Sequence, residues 1–217
     1  MEDKRNPGAI DYFHRRIKDF DDIYREDKKG LLYFLNKTIR ASVGIRFKLA
    51  FDILGDLSGK SILDIGCGSG RYMFKAVEKN ASSVIGIDAA EGAIEEAKNI
   101  ASELGVEDRL EFIVNDFMDI DFNRKFNVLF AVGYFDYIFN SEDHLRKMLE
   151  LSDGIIYASF PKFWSPLSWI RKIRLALNGC PVKYYTGPGV KKLMKKICVS
   201  NYELKPIFRD YILIIKK

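Results

Sequence analysis

An α/β fold, doubly wound about a mostly parallel sheet of seven strands, is predicted by three features of the sequence. Short apolar runs alternate with helical stretches from residue 61 onward, the pattern of βαβ units whose sheet is covered on both faces. A strand-like run, Ile62-Leu63-Asp64-Ile65, enters a glycine-rich turn directly before a helix. The last two apolar runs are joined by so few residues that they must pair antiparallel, because a parallel return needs a crossover of about a dozen residues.

The first 55 residues read as a helical extension. From Leu31 to Leu54, apolar residues recur at Leu31, Leu35, Ile39, Val43, Phe47, Ala50 and Leu54, near the helical period. A shorter helix is expected to end at Phe20-Asp21-Asp22-Ile23-Tyr24, before a charged break from Arg25 to Gly30. Strands are then expected at Ser61 to Ile65, Ser83 to Ile87, Leu110 to Val114, Val128 to Val132 and Ile155 to Ser159, with helices near 71–79, 91–104 and 142–151. After a further helix near 188–199 come Tyr202 to Phe208 and Tyr211 to Ile215, joined through Arg209-Asp210. The run from Tyr211 to Ile215 is apolar at every position, so both its faces should be buried and the strand should be interior. The chain of 217 residues fits one domain. Its divisions are expected at 1–57, N-terminal helices forming a cap; 58–160, a ligand-binding core; 161–185, a substrate-side insert; and 186–217, the terminal helix and hairpin.

Hydrophobic residues make up 47% and charged residues 30% of the chain, the composition of a globular protein. Cys67, Cys180 and Cys198 are too few and too widely spaced for a disulfide framework or a metal motif, so no metal is expected. The start, Met1-Glu2-Asp3-Lys4-Arg5, leads into no apolar segment, and no run reaches the roughly 18 residues of a spanning helix, so a cytoplasmic protein is expected. A net charge of +5 is too small to argue for nucleic acid.

The glycine loop carries the first chemistry. Glycines permit a tight turn with positive φ and let a ligand approach the backbone, while the N–H groups of the next helix face it. A dinucleotide fingerprint, G-x-G-x-x-G, would place its third glycine at Arg71, and the order here is D-x-G-x-G-x-G, with Asp64 two residues before the first glycine. That carboxylate would repel a pyrophosphate and attract an ammonium group. Asp88 closes the second strand at about the twenty-residue distance expected of a ribose-binding acid, and Asp116 follows the third strand, where it could accept from an adenine amino group. Ligands of open α/β sheets lie beyond the carboxyl ends of the strands, so the three acids should face one crevice.

These residues resemble class I S-adenosylmethionine-dependent methyltransferases. Asp64-Ile65-Gly66-Cys67-Gly68-Ser69-Gly70, Asp88, Asn115-Asp116-Phe117 and Phe126-Asn127-Val128-Leu129 through Asp136 match that family's motifs in order, over about residues 59–138. The resemblance implies a Rossmann-like fold whose last strand inserts beside the fourth, and S-adenosylmethionine as cofactor. Asp64, Gly66, Cys67, Gly68 and Gly70 would then hold the methionine moiety, Asp88 and Ala89 the ribose, and Asp116 and Phe117 the adenine, while Val132 would line the methyl-donor side. Tyr24 resembles the aromatic residue that many small-molecule methyltransferases place over the cofactor. More weakly, Phe20-Asp21-Asp22-Ile23-Tyr24, Arg40 to Phe47 and Gly70-Arg71-Tyr72 are similar to the O-methyltransferases of magnesium-protoporphyrin and of polyprenyl quinones.

O-methylation of a bulky apolar or aromatic small molecule is therefore expected. An Asn/Asp-Pro-Pro-aromatic run after the fourth strand would mark an amine methyltransferase of nucleic acids, and the chain has Gly133-Tyr134-Phe135-Asp136 there. Tyr134, Asp136 and Tyr137 are the catalytic candidates, one of which could orient or deprotonate a substrate hydroxyl. Cys67 is assigned no chemistry of its own. His14 and His144 sit in polar helical contexts and are expected at the surface, and Arg40 and Arg46 as solvated helix charges, with a reach to the cofactor's carboxylate as the alternative. Trp164 to Leu177 has the pattern of a basic amphipathic helix, which either packs on the sheet's lip or touches a membrane. The alternatives are a non-catalytic S-adenosylmethionine-binding sensor or partner subunit and, more distantly, a nicotinamide oxidoreductase.

Overall fold

The computed structural model describes residues 31–164 and 179–217, with side chains from residue 43 onward. The expected helix before Tyr24, with His14 and Tyr24 itself, the side chain of Arg40 and the span 165–178 lie outside the described residues.

Helix α1 (Leu31–Leu54) leads into strand β1 (Ser61–Ile65), helix α2 (Arg71–Glu78), strand β2 (Ser83–Asp88), helix α3 (Glu91–Glu103) and strand β3 (Leu110–Val114). The second half runs through β4 (Phe126–Ala131), α4 (Ser141–Leu151), β5 (Ser152–Pro161), α5 (Gly187–Lys196), β6 (Tyr202–Pro206) and β7 (Asp210–Lys216). The seven strands lie in the order β3-β2-β1-β4-β5-β7-β6. All pairs are parallel except those of β7, which runs antiparallel to both β5 and β6. The apolar run of β7 thus lies between two strands as its composition requires, with Ile212, Leu213, Ile214 and Ile215 buried, but its neighbour on the sheet side is β5 and not the expected fourth strand, because β5 already pairs parallel with β4.

The alternation along each strand sorts side chains onto two cores. Leu63, Ile85, Leu129, Ile156 and Leu213 face α4 and α5 through Leu145, Met148, Val190 and Met194. Ile62, Val84, Val128, Phe130 and Ile214 face α1 and α2 through Ala50, Phe51, Leu54, Met73 and Ala76. Right-handed crossovers explain the division. From β1 the chain winds outward through β2 to β3, and from β4 it winds the opposite way to β5, so α2 and α4 fall on opposite faces. The two halves part between β1 and β4, and a crevice opens at that switch point beyond the carboxyl ends of the strands.

Strand β4 starts two residues earlier than its apolar run suggests and ends at Ala131, leaving Val132 in the loop, and β5 extends to both sides of its expected range. The flanking residues gain strand geometry from neighbours that a local pattern does not contain. A turn of three residues, 207–209, joins β6 and β7, with Ile207 N–H donating to the Asp210 carbonyl at 2.9 Å. The pairing of β4 with β5 shifts register between Phe126 and Val128. At that bulge Gly154 lies so near β4 that a Cβ would stand 2.3 Å from the Asn127 carbonyl oxygen. Gly154→Ala is expected to cost about 1–3 kcal/mol of stability, read as a lower urea midpoint with an unchanged m-value.

Candidate functional site

The turn after β1 is fastened to the end of β2. Gly66 and Cys67 donate their N–H groups to the Ile87 carbonyl at 2.8 and 3.1 Å, and Gly70 closes the turn on the Cys67 carbonyl at 3.0 Å. Gly66 has φ +69° and Gly70 has φ +83°, left-handed conformations that favour glycine, and Gly70 leads straight into α2. Gly68 N–H donates to Asp88 Oδ2 at 3.0 Å and Ala90 N–H to Asp88 Oδ1 at 2.9 Å. One carboxylate therefore sets the spacing between the glycine turn and the start of α3. Burial raises the Asp88 carboxyl above its ordinary range, against the pull of the Ala90, Gly68 and Ala89 N–H groups.

Asp64 lies beneath the turn and is 2% exposed. Its Oδ2 is buried and accepts no hydrogen bond. Burial pushes its carboxyl up to about 7, and the Asp88 charge adds to the push. A buried carboxylate oxygen without a donor is costly, and a ligand ammonium group would supply the missing charge and N–H bond. Burial likewise drives the Cys67 thiol well up, with Asp88 and Asp64 contributing, so the sulfur stays protonated.

Asp116 follows the end of β3, its Oδ1 accepting from Met118 N–H at 2.8 Å as the cap of a single 3₁₀ turn, with Phe117 buried behind it. Asn115 N–H reaches the Asp88 carbonyl at 3.0 Å, which ties the Asp116 corner to the Asp88 corner. The three acids predicted to share a crevice thus lie at the carboxyl ends of β1, β2 and β3.

The fourth side is the loop after β4. Gly133 has φ +76° and its N–H donates to Ser159 Oγ at 2.8 Å. Tyr134 then lays its ring on the glycine turn: a Cβ at Gly66 would stand 2.8 Å from Tyr134 Cδ2. Its hydroxyl lies 2.7 Å from His144 Nδ1. This corrects the surface expectation for His144, which is 8% exposed. Burial lowers its imidazole to about 4; Asp116 and Asp143 oppose the shift and Lys147 adds to it. Burial raises the Tyr134 phenol well above its ordinary value, with Asp116 and Asp88 adding to the rise.

The catalytic candidates therefore separate. Tyr134 faces the glycine turn with its proton firmly held. Asp136 is buried and its backbone carbonyl accepts the Lys183 N–H at 2.8 Å, so it sits beside the segment that leads into Tyr185. Tyr137 packs against Cys180.

Sequence reasoning missed the burial and the partner of a charged group on the other side of Gly133. Arg46 is 17% exposed at its side chain and pairs with the buried Asp210 at 3.5 Å, so it is no solvated helix charge. Its Nη2 would come within 4.0 Å of a Cβ at Gly133. Lys162 Nζ donates to the Ile207 carbonyl beside the same acid. Arg71 lies over the Phe47 ring at 5.4 Å, and Tyr72 is buried.

Residues 56–173 match the family described as "Methyltransferase domain". The chain belongs to that family. Its sheet order and antiparallel end are those of a class I S-adenosylmethionine-dependent methyltransferase. Ribosomal protein L11 methyltransferase of Enterobacter sp. (strain 638) is 44% identical over 66 residues, 30% of this chain and 22% of that protein. Malonyl-[acyl-carrier protein] O-methyltransferase 2 of Ilyobacter polytropus is 30% identical over 105 residues, 47% of this chain and 40% of its own length. The methyltransferase domain thus aligns with less than half of each of these curated relatives. Magnesium protoporphyrin IX methyltransferase of Synechocystis PCC 6803, solved with S-adenosylhomocysteine bound, shares the fold with a TM-score of 0.78 at 19% identity. That match covers 98% of this chain and 99% of the other.

Proposed function

We propose that the protein transfers the methyl group of S-adenosylmethionine to an oxygen of a bulky apolar or aromatic small molecule. The observation that carries the cofactor assignment is the set of groups on one crevice: the orphaned Asp64 oxygen, the left-handed glycine turn, and Asp88 and Asp116 at successive strand ends. Asp64 would hold the cofactor's ammonium group, with the turn of Gly66, Cys67, Gly68 and Gly70 holding its methionine moiety. Asp88 and Ala89 would take the ribose, Asp116 and Phe117 the adenine, and Val132 the methyl-donor side. Tyr24 is proposed to cover the cofactor from the N-terminal helices.

When bound, S-adenosylmethionine supplies a methyl group on a sulfonium centre, open to in-line displacement by a nucleophile. The chain's part is alignment and exclusion of water. Tyr134 walls the glycine turn, and Gly133 leaves room beside it on the Arg46 side. The divisions 1–57, 58–160, 161–185 and 186–217 are proposed as cap, cofactor core, acceptor-side insert and terminal helix with hairpin. The O-methyltransferase among the relatives, and the porphyrin named as substrate of the structural neighbour, support an oxygen acceptor of that size. Among the described residues no helix is long and apolar enough to cross a membrane.

The test is transfer of labelled methyl from S-adenosylmethionine to a panel of phenols, quinols and carboxylated porphyrins. Labelled methyl ether or ester is expected from at least one class. Binding of the cofactor without turnover of any acceptor would favour a sensor or partner subunit instead.

A further inference from the structure

We propose that His144 is a positioning residue of the cofactor pocket that acts through Tyr134, holding its ring against the Gly66 turn; this rests on the pocket being the S-adenosylmethionine site. Tyr134 touches the turn where Gly66 offers only backbone, so the orientation of one phenol decides the shape of that wall. The positive φ of Gly133 directs the chain after β4, and the 2.7 Å contact from the Tyr134 hydroxyl to His144 Nδ1 fixes the far end of the side chain. The two rings lie 5.6 Å apart, and on its other side His144 meets the Phe117 ring at 6.2 Å.

Helix α4 makes this a shared support. Its buried stripe is Ser141, His144, Leu145, Met148 and Leu151, which places the imidazole on the helix face turned to the protein. One turn later Lys147 lies over Phe117 at 5.2 Å and donates to the Met118 carbonyl at 3.1 Å and to that of Ile120. The methionine-side wall and the adenine-side turn are therefore both braced by α4, the first through His144. A general-base role fits poorly: facing Asp116, Asp143, Lys147 and the Tyr134 phenol, the buried imidazole is a weak base that stays neutral at pH 7. The pair is neutral on both sides, a hydrogen bond that orients without moving charge.

The test is calorimetric titration with S-adenosylhomocysteine at pH 8 of wild type, His144→Leu, His144→Asn, Tyr134→Phe and the double variant His144→Leu/Tyr134→Phe, each with its thermal melt. His144→Leu and Tyr134→Phe are each expected to weaken binding by about tenfold, and the double variant by about tenfold as well, because both remove one interaction. His144→Asn, whose amide lies where Nδ1 was, is expected to bind within about threefold of wild type. Should His144→Leu not fold, His144→Gln replaces it in the cycle, its amide lying where Nε2 was and leaving the phenol unmatched. Wild-type affinity in the Leu variant, a double variant weakened by about a hundredfold, or no recovery in His144→Asn would overturn the proposal. Absence of binding by the wild type would overturn the cofactor reading, and this proposal with it.

Discussion

Asp64→Asn is expected to make the cofactor-free protein more stable and the cofactor-bound protein harder to form. The Asp64 carboxyl has an ordinary value of 3.8 and is pushed up to about 7 in the fold, by burial first and by Asp88 second. The folded state therefore keeps a proton that the unfolded chain releases. Stability due to this group is whole below about pH 4 and is lost as pH rises through 7, when the buried carboxylate must ionise. At pH 8 the loss is on the order of 2–4 kcal/mol. Asparagine removes that penalty, so the melting temperature at pH 8 should rise by roughly 5–10 °C, and the gain should vanish near pH 4. The same substitution deletes the charge that an ammonium group would meet, so affinity for S-adenosylhomocysteine should fall by about tenfold or more, about 1.4 kcal/mol. Melts across pH 4–8 with a parallel titration check both halves. A variant no more stable than wild type at pH 8 would show that Asp64 is not a strained, waiting anion.

The second large effect has the opposite pH direction. The imidazole of His144 is lowered from 6.5 to about 4, mainly by burial, with Lys147 adding to the shift and Asp116 and Asp143 opposing it. As pH falls through 6.5 the unfolded chain takes up a proton that the folded protein refuses until about pH 4. Stability is thus lost across that window, by about 3 kcal/mol at most. His144→Asn keeps a partner for Tyr134 and removes the titration. The stability gap between variant and wild type, measured by urea unfolding at pH 7.5 and pH 4.5, should widen in favour of the variant by about 2–3 kcal/mol. An unchanged gap would mean that His144 titrates as if exposed.

These effects come from residues that differed in how openly they could be read. Asp64, Asp88 and Asp116 were legible because each stands at or beside the end of a strand-like run, Asp64 two residues before the first glycine, and strand ends of a doubly wound sheet converge on the switch point. The interior place of β7 was legible from five consecutive apolar residues. His144 was hidden by its neighbours Glu142, Asp143, Arg146 and Lys147, although its spacing from Leu145, Met148 and Leu151 places it on the buried helical stripe. Arg46 carries a similar signal between Val43 and Ala50, both buried. Asp210 carried none, because only the pairing of β5 with β7 brings Pro161 opposite it and buries it against Arg46. The bulge at Gly154 was equally illegible, since it depends on the backbone of β4 rather than on any local pattern.

The central claim is that the crevice bounded by Asp64, the glycine turn, Asp88 and Asp116 is a cofactor site. The most direct measurement is calorimetric titration of the protein with S-adenosylhomocysteine, wild type beside Asp88→Ala. Micromolar binding by the wild type, weakened by about tenfold or more in the variant, is the predicted result. No binding by the wild type, or equal binding by both proteins, would contradict it.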